Sequence, residues 1–296
     1  MRVLMVGATG RRAGMVLPEL TRRGVAVRAL VRDSARARIA LDHGATEVAI
    51  GDLRDPASLD RAVNGVDGVF HINPAFAVGE ADLGVAMVNA ATAAGVSKFV
   101  FSSVIHPSAS AMRNHTEKLP VENALSNSGM DYTVLQPAMF MQTLGDFWPG
   151  VVEHDRFAAP FSMSAEFCFV DYRDVAEAAA IAMTTDRLSR GTFELCAEGM
   201  VTGRTIASTI SAMVGRRITA MKIPLDTFLA RLPEGPARSQ SAQMMIHYDQ
   251  HGLAGGNALV LRAILGREPR ALAEYLSELA DTQTDDQFGG SRGTGP

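Results

Sequence analysis

The sequence predicts an α/β protein with a doubly wound parallel sheet, and three observations support this prediction. Short apolar runs alternate with helix-length amphipathic segments through the first half of the chain. A glycine-containing turn follows the first apolar run directly. Nearly half of the residues are apolar and a fifth are charged, as in ordinary globular domains. We expect a large sheet domain joined to a smaller, mostly helical substrate or lid region.

The predicted strands and helices alternate in order along the chain. The strands are the apolar runs at 2–6, 25–31, 47–50, 68–72, 98–102 and 132–135. The helices between them are the amphipathic segments at 12–23, 34–42, 56–63, 80–94 and 117–128. Pro18 lies inside the first helix, where a proline removes a backbone donor and bends or weakens the helix. A helix at 170–184 and a strand at 192–196 repeat the early pattern, so 1–136 and 168–196 are assigned to one sheet domain.

The remaining segments differ in composition from the sheet domain. Methionine, phenylalanine and proline become frequent after Pro137, and about three helices are expected beyond residue 205. Residues 137–167 and 197–280 are therefore assigned to the substrate or lid region. The last segment, 281–296, is polar and glycine-rich, and we predict a flexible tail there.

Composition excludes several classes of protein. The formal net charge is only −4 and no long run of Lys or Arg is present, so a nucleic-acid partner is not expected. The two cysteines, Cys168 and Cys196, match neither a metal cluster nor a disulfide framework, and we interpret them as core thiols of a reducing compartment. A strand begins almost at Met1, leaving no room for a signal peptide, and no apolar stretch reaches the ~20 residues of a membrane helix. These features predict a cytoplasmic protein and leave its oligomeric state open.

The turn after the first strand has the form of a phosphate-binding loop. Gly7 and Gly10 enclose Thr9 and stand immediately before a predicted helix. The amides and positive dipole end of that helix can hold a pyrophosphate, and glycines let the backbone approach it. Ala13 occupies the third small position of this variant, where helix and sheet pack closely. The loop predicts an NAD(P)-binding Rossmann-like domain, the alternative being a merely structural turn.

The end of the second strand indicates which dinucleotide is bound. NAD-specific sites carry an acidic residue there, but this strand ends at Arg32. A guanidinium suits the 2′-phosphate of NADP(H), and Arg11 and Arg12 stand beside the phosphate loop. We therefore expect NADPH, with NADH the less favoured cofactor. Solvated surface arginines are the alternative, and Asp33 is available to serve NAD.

Several short motifs stand at strand ends and in the helices that follow them. They occupy 7–10, 69–74, 102–107, 114–115, 118, 121–122, 132–137, 171–176 and 265–270. Together they resemble the NmrA-like branch of the short-chain dehydrogenases/reductases, over nearly everything except the tail. The resemblance implies either an NAD(P)H-dependent reductase of quinones or ketones or a cofactor-binding regulator with little catalysis.

The resemblance also implies roles for residues at the strand ends. Asp52 and Leu53 should border the adenine, Asn73 and Pro74 should approach the ribose or pyrophosphate, and residues 137–140 should pass the nicotinamide. The full set of expected cofactor contacts is Gly7, Thr9, Gly10, Arg11, Arg12, Ala13, Arg32, Asp52, Leu53, Asn73, Pro74, Ser102, Lys118 and Pro137. The alternatives are that Asp52 caps a turn, that Asn73 and Pro74 simply end a strand, and that Met139 and Phe140 are ordinary core.

The catalytic residues implied by the resemblance depart from the superfamily pattern. The usual Tyr-x-x-x-Lys motif has Asn114 in place of the tyrosine, four residues before Lys118. An amide cannot give up a proton as a phenol can. Lys118 is expected to bind the nicotinamide ribose and stabilise negative charge, and Ser103 to donate to the substrate oxygen. An imidazole ordinarily titrates near neutral pH, so His106 and His115 are further catalytic candidates. For Lys118, the alternative is a lysine on the helix surface.

The segment after Pro137 is predicted to form an apolar substrate cleft. Its expected substrate contacts are Met139, Phe140, Phe147, Trp148 and His106, with Met141 beside them. Such walls suit a flat apolar carbonyl compound or quinone, plausibly an aromatic polyketide-like one, and favour an enzyme over the regulator. The alternative is that the apolar residues are core. No metal is expected, because the spacing of His106, His115 and Glu117 matches no familiar zinc pattern, and no hydrolase nucleophile elbow is present.

Overall fold

A computed structural model of the chain describes residues 1–289, with side chains as far as residue 281. Its strands are β1 Arg2–Val6, β2 Ala26–Val31, β3 Glu47–Ile50, β4 Gly68–Ile72, β5 Lys98–Ser102, β6 Asp131–Pro137, β7 Met139–Phe140, β8 Arg156–Ala159, β9 Glu166–Phe167, β10 Phe169–Val170, β11 Gly191–Leu195, β12 Val201–Thr202 and β13 Thr219–Lys222. The strands predicted at 2–6, 47–50, 68–72 and 98–102 are confirmed to the residue.

The helices lie between these strands and beyond the last of them. They are α1 Val16–Arg22, α2 Ser34–Asp42, α3 Pro56–Val63, α4 Glu80–Ala93, α5 Arg113–Thr116, α6 Leu119–Ser126, α7 Trp148–His154, α8 Tyr172–Thr184, α9 Gly203–Val214, α10 Leu225–Leu229, α11 Pro236–His251, α12 Leu259–Leu265 and α13 Leu272–Gly289. Short 3-10 segments occupy Ala13–Met15 and Met141–Phe147. Because α1 begins only at Val16, Pro18 falls in its first turn, where a missing backbone donor costs little.

Within the described residues, seven parallel strands form the main sheet in the order β11-β6-β5-β4-β1-β2-β3. The chain winds outward from β1 in one direction through β2 and β3, and in the other direction from β4. This arrangement confirms the predicted doubly wound, Rossmann-like fold. The switch point lies between β1 and β4, so the loops that follow these strands meet at one edge of the sheet. Gly7 and Asn73 stand in those two loops.

Helices cover both faces of the main sheet, as the alternating side chains of its strands require. Leu4 of β1 belongs to the core that faces α3, α4 and α6. Its neighbours Val3 and Met5 belong to the opposite core, which includes α1 and α8. Residues of a strand alternate between faces, so each central strand contributes apolar side chains to both cores.

The second region combines helices with small sheets. Three two-stranded sheets pair β7 with β10, β8 with β13, and β9 with β12 in the part of the chain described. Helices α9–α13 follow, where about three were expected. The last helix extends to Gly289, into the segment predicted as a flexible tail, and 290–296 of that segment lie outside the described residues. None of the described helices has the length and apolar character needed to cross a membrane.

Candidate functional site

A groove of about 340 Å³ follows the carboxyl ends of β1, β2, β3 and β4. It is lined by Val6, Gly7, Thr9, Gly10, Ala13, Leu30, Val31, Arg32, Arg36, Gly51, Asp52, Leu53, Arg54, Ile72, Asn73, Pro74 and Leu83. Most of the predicted cofactor contacts belong to this set. The groove runs across the switch point of the sheet, where ligands bind in open α/β folds. We call it the dinucleotide groove.

The loop after β1 is shaped for close approach by a ligand. Gly7 has a φ of +87°, and a Cβ there would lie 2.9 Å from Cγ2 of Ile72 and 3.0 Å from Cβ of Ala13. The amide of Gly10 donates to the carbonyl of Gly7 at 2.9 Å, and the amide of Gly14 donates to Gly10 at 2.9 Å. Only a residue without a Cβ fits at Gly7, and a residue larger than Ala13 would push the following helix away from the loop.

One end of the groove is basic. Arg32 and Arg36 both line it, and Arg36 was not anticipated from the sequence. Asp33, the acidic residue available to NAD, instead caps α2 by accepting from the amide of Arg36 at 2.9 Å, and it does not line the groove. Arg36 could have been found from its place one turn into α2, on the helix that begins at the second strand's end.

Two arginines and one serine predicted to contact the cofactor lie elsewhere. Arg11 and Arg12 donate to the two carboxylate oxygens of Asp146 at 2.8 and 3.4 Å, and neither lines the groove. After Gly10 the chain enters the 3-10 turn at Ala13–Met15, and both side chains reach the segment that carries Asp146. Ser102 is fully buried at the end of β5, away from the groove lining.

A second cavity, of about 330 Å³, adjoins the groove and is mainly apolar. Ile72 and Asn73 line both spaces. The apolar side chains of this cavity include Ile105, Met139, Phe140, Phe147, Phe161, Phe228, Met244, Met245 and Leu253. We call it the apolar cavity. Pro137, an expected nicotinamide contact, lines it as well.

The predicted substrate contacts divide into two groups. Phe140 and Phe147 line the apolar cavity together with Met139. Trp148 does not, because it begins α7 and is packed into the core with 4% of its surface exposed. His106 does not line it either, since its ring is held by the carbonyl of Ala254 at 2.8 Å. The core alternative therefore holds for Trp148.

The four predicted catalytic residues are brought together on one wall of the apolar cavity. They are Ser103, Asn114, His115 and Lys118. Lys118 is buried and forms an ion pair with the carboxylate of Glu80, which is wholly buried at the start of α4. The ammonium also donates to the carbonyl of Asn114 at 3.0 Å. Lys118 is therefore not a surface residue.

Glu80 connects this wall to the dinucleotide groove. Its carboxylate accepts from the amide of Phe76 at 2.8 Å, and its carbonyl accepts from the side-chain amide of Asn73 at 3.2 Å. Asn73 in turn meets Nε2 of His71 at 2.7 Å. The sequence shows Glu80 only as an acidic residue in the first turn of a helix, and its partner lies 38 positions away.

Ser103 is engaged in a hydrogen bond that alters its expected role. Its hydroxyl donates to Oε1 of Glu122, and the same carboxylate accepts from the side-chain amide of Gln136 at 3.0 and 3.2 Å. A hydroxyl has one proton to donate, so Ser103 presents acceptor lone pairs to the cavity while Glu122 is ionised. In this arrangement Ser103 does not donate to a substrate oxygen.

His115 does not titrate near neutral pH. Burial lowers the pKa of its imidazole to about 4, and the positive charge of Lys118 acts in the same direction. Nδ1 lies 2.8 Å from the carbonyl of Ile105, so it carries the hydrogen and leaves Nε2 as an acceptor. The prediction of a proton donor active at neutral pH is wrong for His115.

Asn114 and Tyr248 are two further polar residues of the apolar cavity. The side-chain nitrogen of Asn114 lies 3.3 Å from the sulfur of Met244, and its buried Oδ1 has no hydrogen-bond partner. Tyr248, on α11, was not anticipated. Its ring packs edge-on against Phe161 and Phe167, and burial raises the pKa of its phenol. With its pKa raised, the phenol stays protonated at physiological pH.

Within the described residues, no three His, Cys, Asp or Glu side chains are grouped so as to hold a metal ion. The parallel sheet and the glycine loop at its switch point define a Rossmann-fold protein with a dinucleotide groove. The model of the NmrA-like family matches residues 1–278, and the chain belongs to this family. The resemblance found in the sequence is thus confirmed.

Similar proteins include enzymes and a regulator. The chain is 31% identical to the NAD(P)H azoreductase of Xenophilus azovorans over 225 residues, which are 76% of this chain and 78% of that protein. It matches the structure of the NADPH-dependent quinone oxidoreductase QOR2 of Escherichia coli, complexed with NADPH, with a TM-score of 0.82 and 25% identity over 94% of this chain and 99% of that one. It shares its fold with NmrA, a negative transcriptional regulator solved with NADP, at a TM-score of 0.76 and 19% identity over 97% of each chain.

Proposed function

We propose that this protein is an NADPH-dependent reductase that transfers a hydride to the carbonyl of an apolar ketone or quinone. One observation carries the proposal: the dinucleotide groove opens into the apolar cavity at Ile72 and Asn73. A dinucleotide with its pyrophosphate on the loop at Gly7 extends toward that junction. The azoreductase and quinone oxidoreductase relatives support this class of reaction.

The residues of the groove fit NADP(H). Gly7 leaves a cradle that a Cβ would fill, and the loop amides precede a helix N-terminus. Arg32 and Arg36 supply two guanidinium groups for a 2′-phosphate, whereas Asp33 is occupied as a helix cap. When bound, the cofactor supplies the hydride. These features support NADPH over NADH.

Lys118 is proposed to stabilise the negative charge that develops on the carbonyl oxygen. Glu80 and the carbonyl of Asn114 hold its ammonium in one place on the cavity wall. A charge fixed before the reaction costs no reorganisation during it, so it acts mainly on the transition state. The orphan Oδ1 of Asn114 is proposed to accept a hydrogen bond from the bound ligand.

Tyr248 is proposed as the proton donor. Asn114 carries no acidic proton, His115 is neutral with Nδ1 engaged, and Ser103 donates to Glu122. The phenol of Tyr248 also lines the cavity and is protonated at physiological pH. It donates to the substrate oxygen as that oxygen gains negative charge. A tyrosine on α11 thus takes the role of proton donor, which Asn114 cannot fill.

The lining of the apolar cavity supports a substrate with an apolar body and one reducible polar group. Phe140, Phe147 and Phe161 provide aromatic surface, and the polar residues of the lining are fewer than the apolar ones. Cavities of this kind hold ligands by apolar contact and orient them by few polar anchors. An aromatic ketone or quinone, including a polyketide-like one, meets this description. We propose such a small molecule, rather than nucleic acid or membrane, as the partner.

The proposal is tested by an NADPH-oxidation screen over quinones, aromatic ketones, imines and azo compounds, with products identified by mass spectrometry. We expect NADPH consumption with at least one class and recovery of the reduced product. A protein that binds NADPH tightly but reduces no member of the panel would instead support a cofactor-binding regulator. Gly7→Ala, which removes the cradle, is the control for activity that does not depend on the groove.

A further inference from the structure

The two cysteines of the chain lie close together, although they are 28 positions apart in sequence. Cys168 lies between β9 and β10, and Cys196 follows β11. The amide of Ala197 donates to the carbonyl of Phe169 at 2.7 Å, so the two backbone segments are directly paired beside the cysteines. Both side chains are reduced and buried.

A glycine loop covers the pair. Gly255 lies against both sulfur atoms, because a Cβ there would be 2.6 Å from Sγ of Cys168 and 3.2 Å from Sγ of Cys196. Gly255 and its neighbour Ala254 are exposed to solvent on their other side. One layer of backbone therefore separates the thiols from water, and only a glycine fits at this point of it.

The surroundings make the two thiols unequal. The neighbouring thiol of Cys168 and, to a smaller extent, the backbone at Gly256 and Asn257 lower the pKa of Cys196. Cys168 donates to the carbonyl of Ala254 at 3.2 Å, and its proximity to Cys196 and its burial raise its pKa. Such an arrangement stabilises a thiolate on Cys196 with a protonated partner beside it.

We propose that Cys168 and Cys196 are a redox modification site, at which a hydroperoxide converts the two thiols into an intramolecular disulfide. The thiolate of Cys196 attacks the terminal peroxide oxygen, forming a sulfenic acid and releasing the alcohol or water. The sulfur of Cys168 then attacks the sulfenic sulfur, its proton leaves with the hydroxyl as water, and the S–S bond forms. The thiols lose two electrons and two hydrogens, and the hydroperoxide gains them.

Oxidation also alters the covering loop. The disulfide has no S–H, so the carbonyl of Ala254 loses its donor from Cys168. Leu253, at the start of the same loop, lines the apolar cavity. Loosening of the loop therefore changes one wall of that cavity. This inference does not depend on the proposed reductase activity.

The test uses the full-length reduced protein and hydrogen peroxide. Because the chain has only two cysteines, counting thiols after denaturation is unambiguous. We expect the count to fall from two to zero, the intact mass to fall by two hydrogens, and a reductant to restore both. Hydrogen exchange of the amides at 253–257 should be faster in the oxidised protein. Added oxygen without loss of hydrogens, or disulfide-linked dimers, would overturn the proposal.

Single substitutions test the roles of the two cysteines and of the covering loop separately. In Cys168→Ala, Cys196 should form a sulfenic acid that dimedone traps, whereas in Cys196→Ala the thiol of Cys168 should stay unmodified under the same dose. Gly255→Ala forces the loop off the sulfur atoms and should speed disulfide formation several-fold. Gly95→Ala, at another positive φ but with no atom within 4 Å, should leave the rate unchanged. Equal reactivity of the two single-cysteine variants would contradict the assignment of Cys196 as the attacking thiol.

Discussion

The ammonium of Lys118 and the carboxylate of Glu80 form an ion pair whose side chains are 8% and 0% exposed. Removing one member of such a pair leaves an uncompensated buried charge, which costs about 3 kcal/mol or more. Glu80→Gln should therefore lower the free energy of unfolding by about that amount in urea titrations. Asp42→Asn, which breaks the exposed Arg38–Asp42 pair, should cost less than about 1 kcal/mol. Equal costs for the two variants would show that Glu80 does not hold the ammonium.

The same pair bears on activity. Once a substrate is found, Lys118→Met should lower kcat roughly 100-fold, because the fixed charge at the developing oxyanion is lost. Cofactor binding is measured separately by calorimetry. A variant with normal kcat would remove Lys118 from the proposed mechanism.

Cofactor preference should depend on the basic end of the groove. Arg32→Ala and Arg36→Ala should each weaken NADPH binding roughly 10-fold, the effect of one lost charge-assisted contact, and leave NADH binding nearly unchanged. Arg38→Ala is the matched control, since this arginine lies on the same helix but outside the groove. If wild-type protein binds NADH as tightly as NADPH and neither variant alters the ratio, the NADPH assignment fails.

Removal of one phenolic oxygen tests the proton donor. Tyr248→Phe should lower kcat roughly 100-fold, within the usual contribution of general acid catalysis, with the Kd for NADPH unchanged. The solvent isotope effect on kcat should change along with it. Tyr275→Phe, on α13 and outside the cavity lining, is the control. Wild-type turnover in Tyr248→Phe would assign the proton to water.

Two buried histidines should make the fold acid-sensitive. Burial lowers the pKa values of His71 and His115 from 6.5 to about 4, so between these values the unfolded chain binds protons that the folded protein does not. The contribution of these histidines to the free energy of unfolding is fully present above pH 6.5. It is lost as the pH falls toward 4, by about 3 kcal/mol per histidine. His115→Gln should flatten this slope in urea titrations between those two limits. An unchanged slope would mean that His115 titrates normally.

Local patterns predicted the large sheet because each of its strands is an apolar run long enough to be recognised. β1, β3, β4 and β5 were predicted to the residue on that basis. β7 and β9 have two residues each, too few for any periodicity, and they form through pairing with distant segments. Helix α11 was missed because its buried residues include Gln240 and Ser241, so its inner face is not an apolar stripe.

In the candidate site, too, residues next to recognisable strands were predictable, whereas residues brought in from distant helices were not. Gly7, Ser103 and Lys118 follow or flank recognisable strands, and their positions were predicted from that order. Glu80 and Tyr248 reach the cavity from helices far away in sequence, where a glutamate or tyrosine is an unremarkable residue. The pairing of Arg11 and Arg12 with Asp146 could not be predicted, because Asp146 lies in a segment without regular periodicity.

Asp146 belongs to the wall of the apolar cavity, yet both of its ionic partners, Arg11 and Arg12, stand beside the phosphate loop. One carboxylate thus connects the loop proposed to hold the pyrophosphate of the cofactor with the cavity proposed to hold the substrate. Binding at two joined sites is thermodynamically linked, and linkage is reciprocal. The factor by which the dinucleotide changes affinity for the substrate is the factor by which the substrate changes affinity for the dinucleotide. In Asp146→Asn this factor should be closer to one. The same decrease should be found when substrate binding is measured with and without the dinucleotide and when dinucleotide binding is measured with and without the substrate.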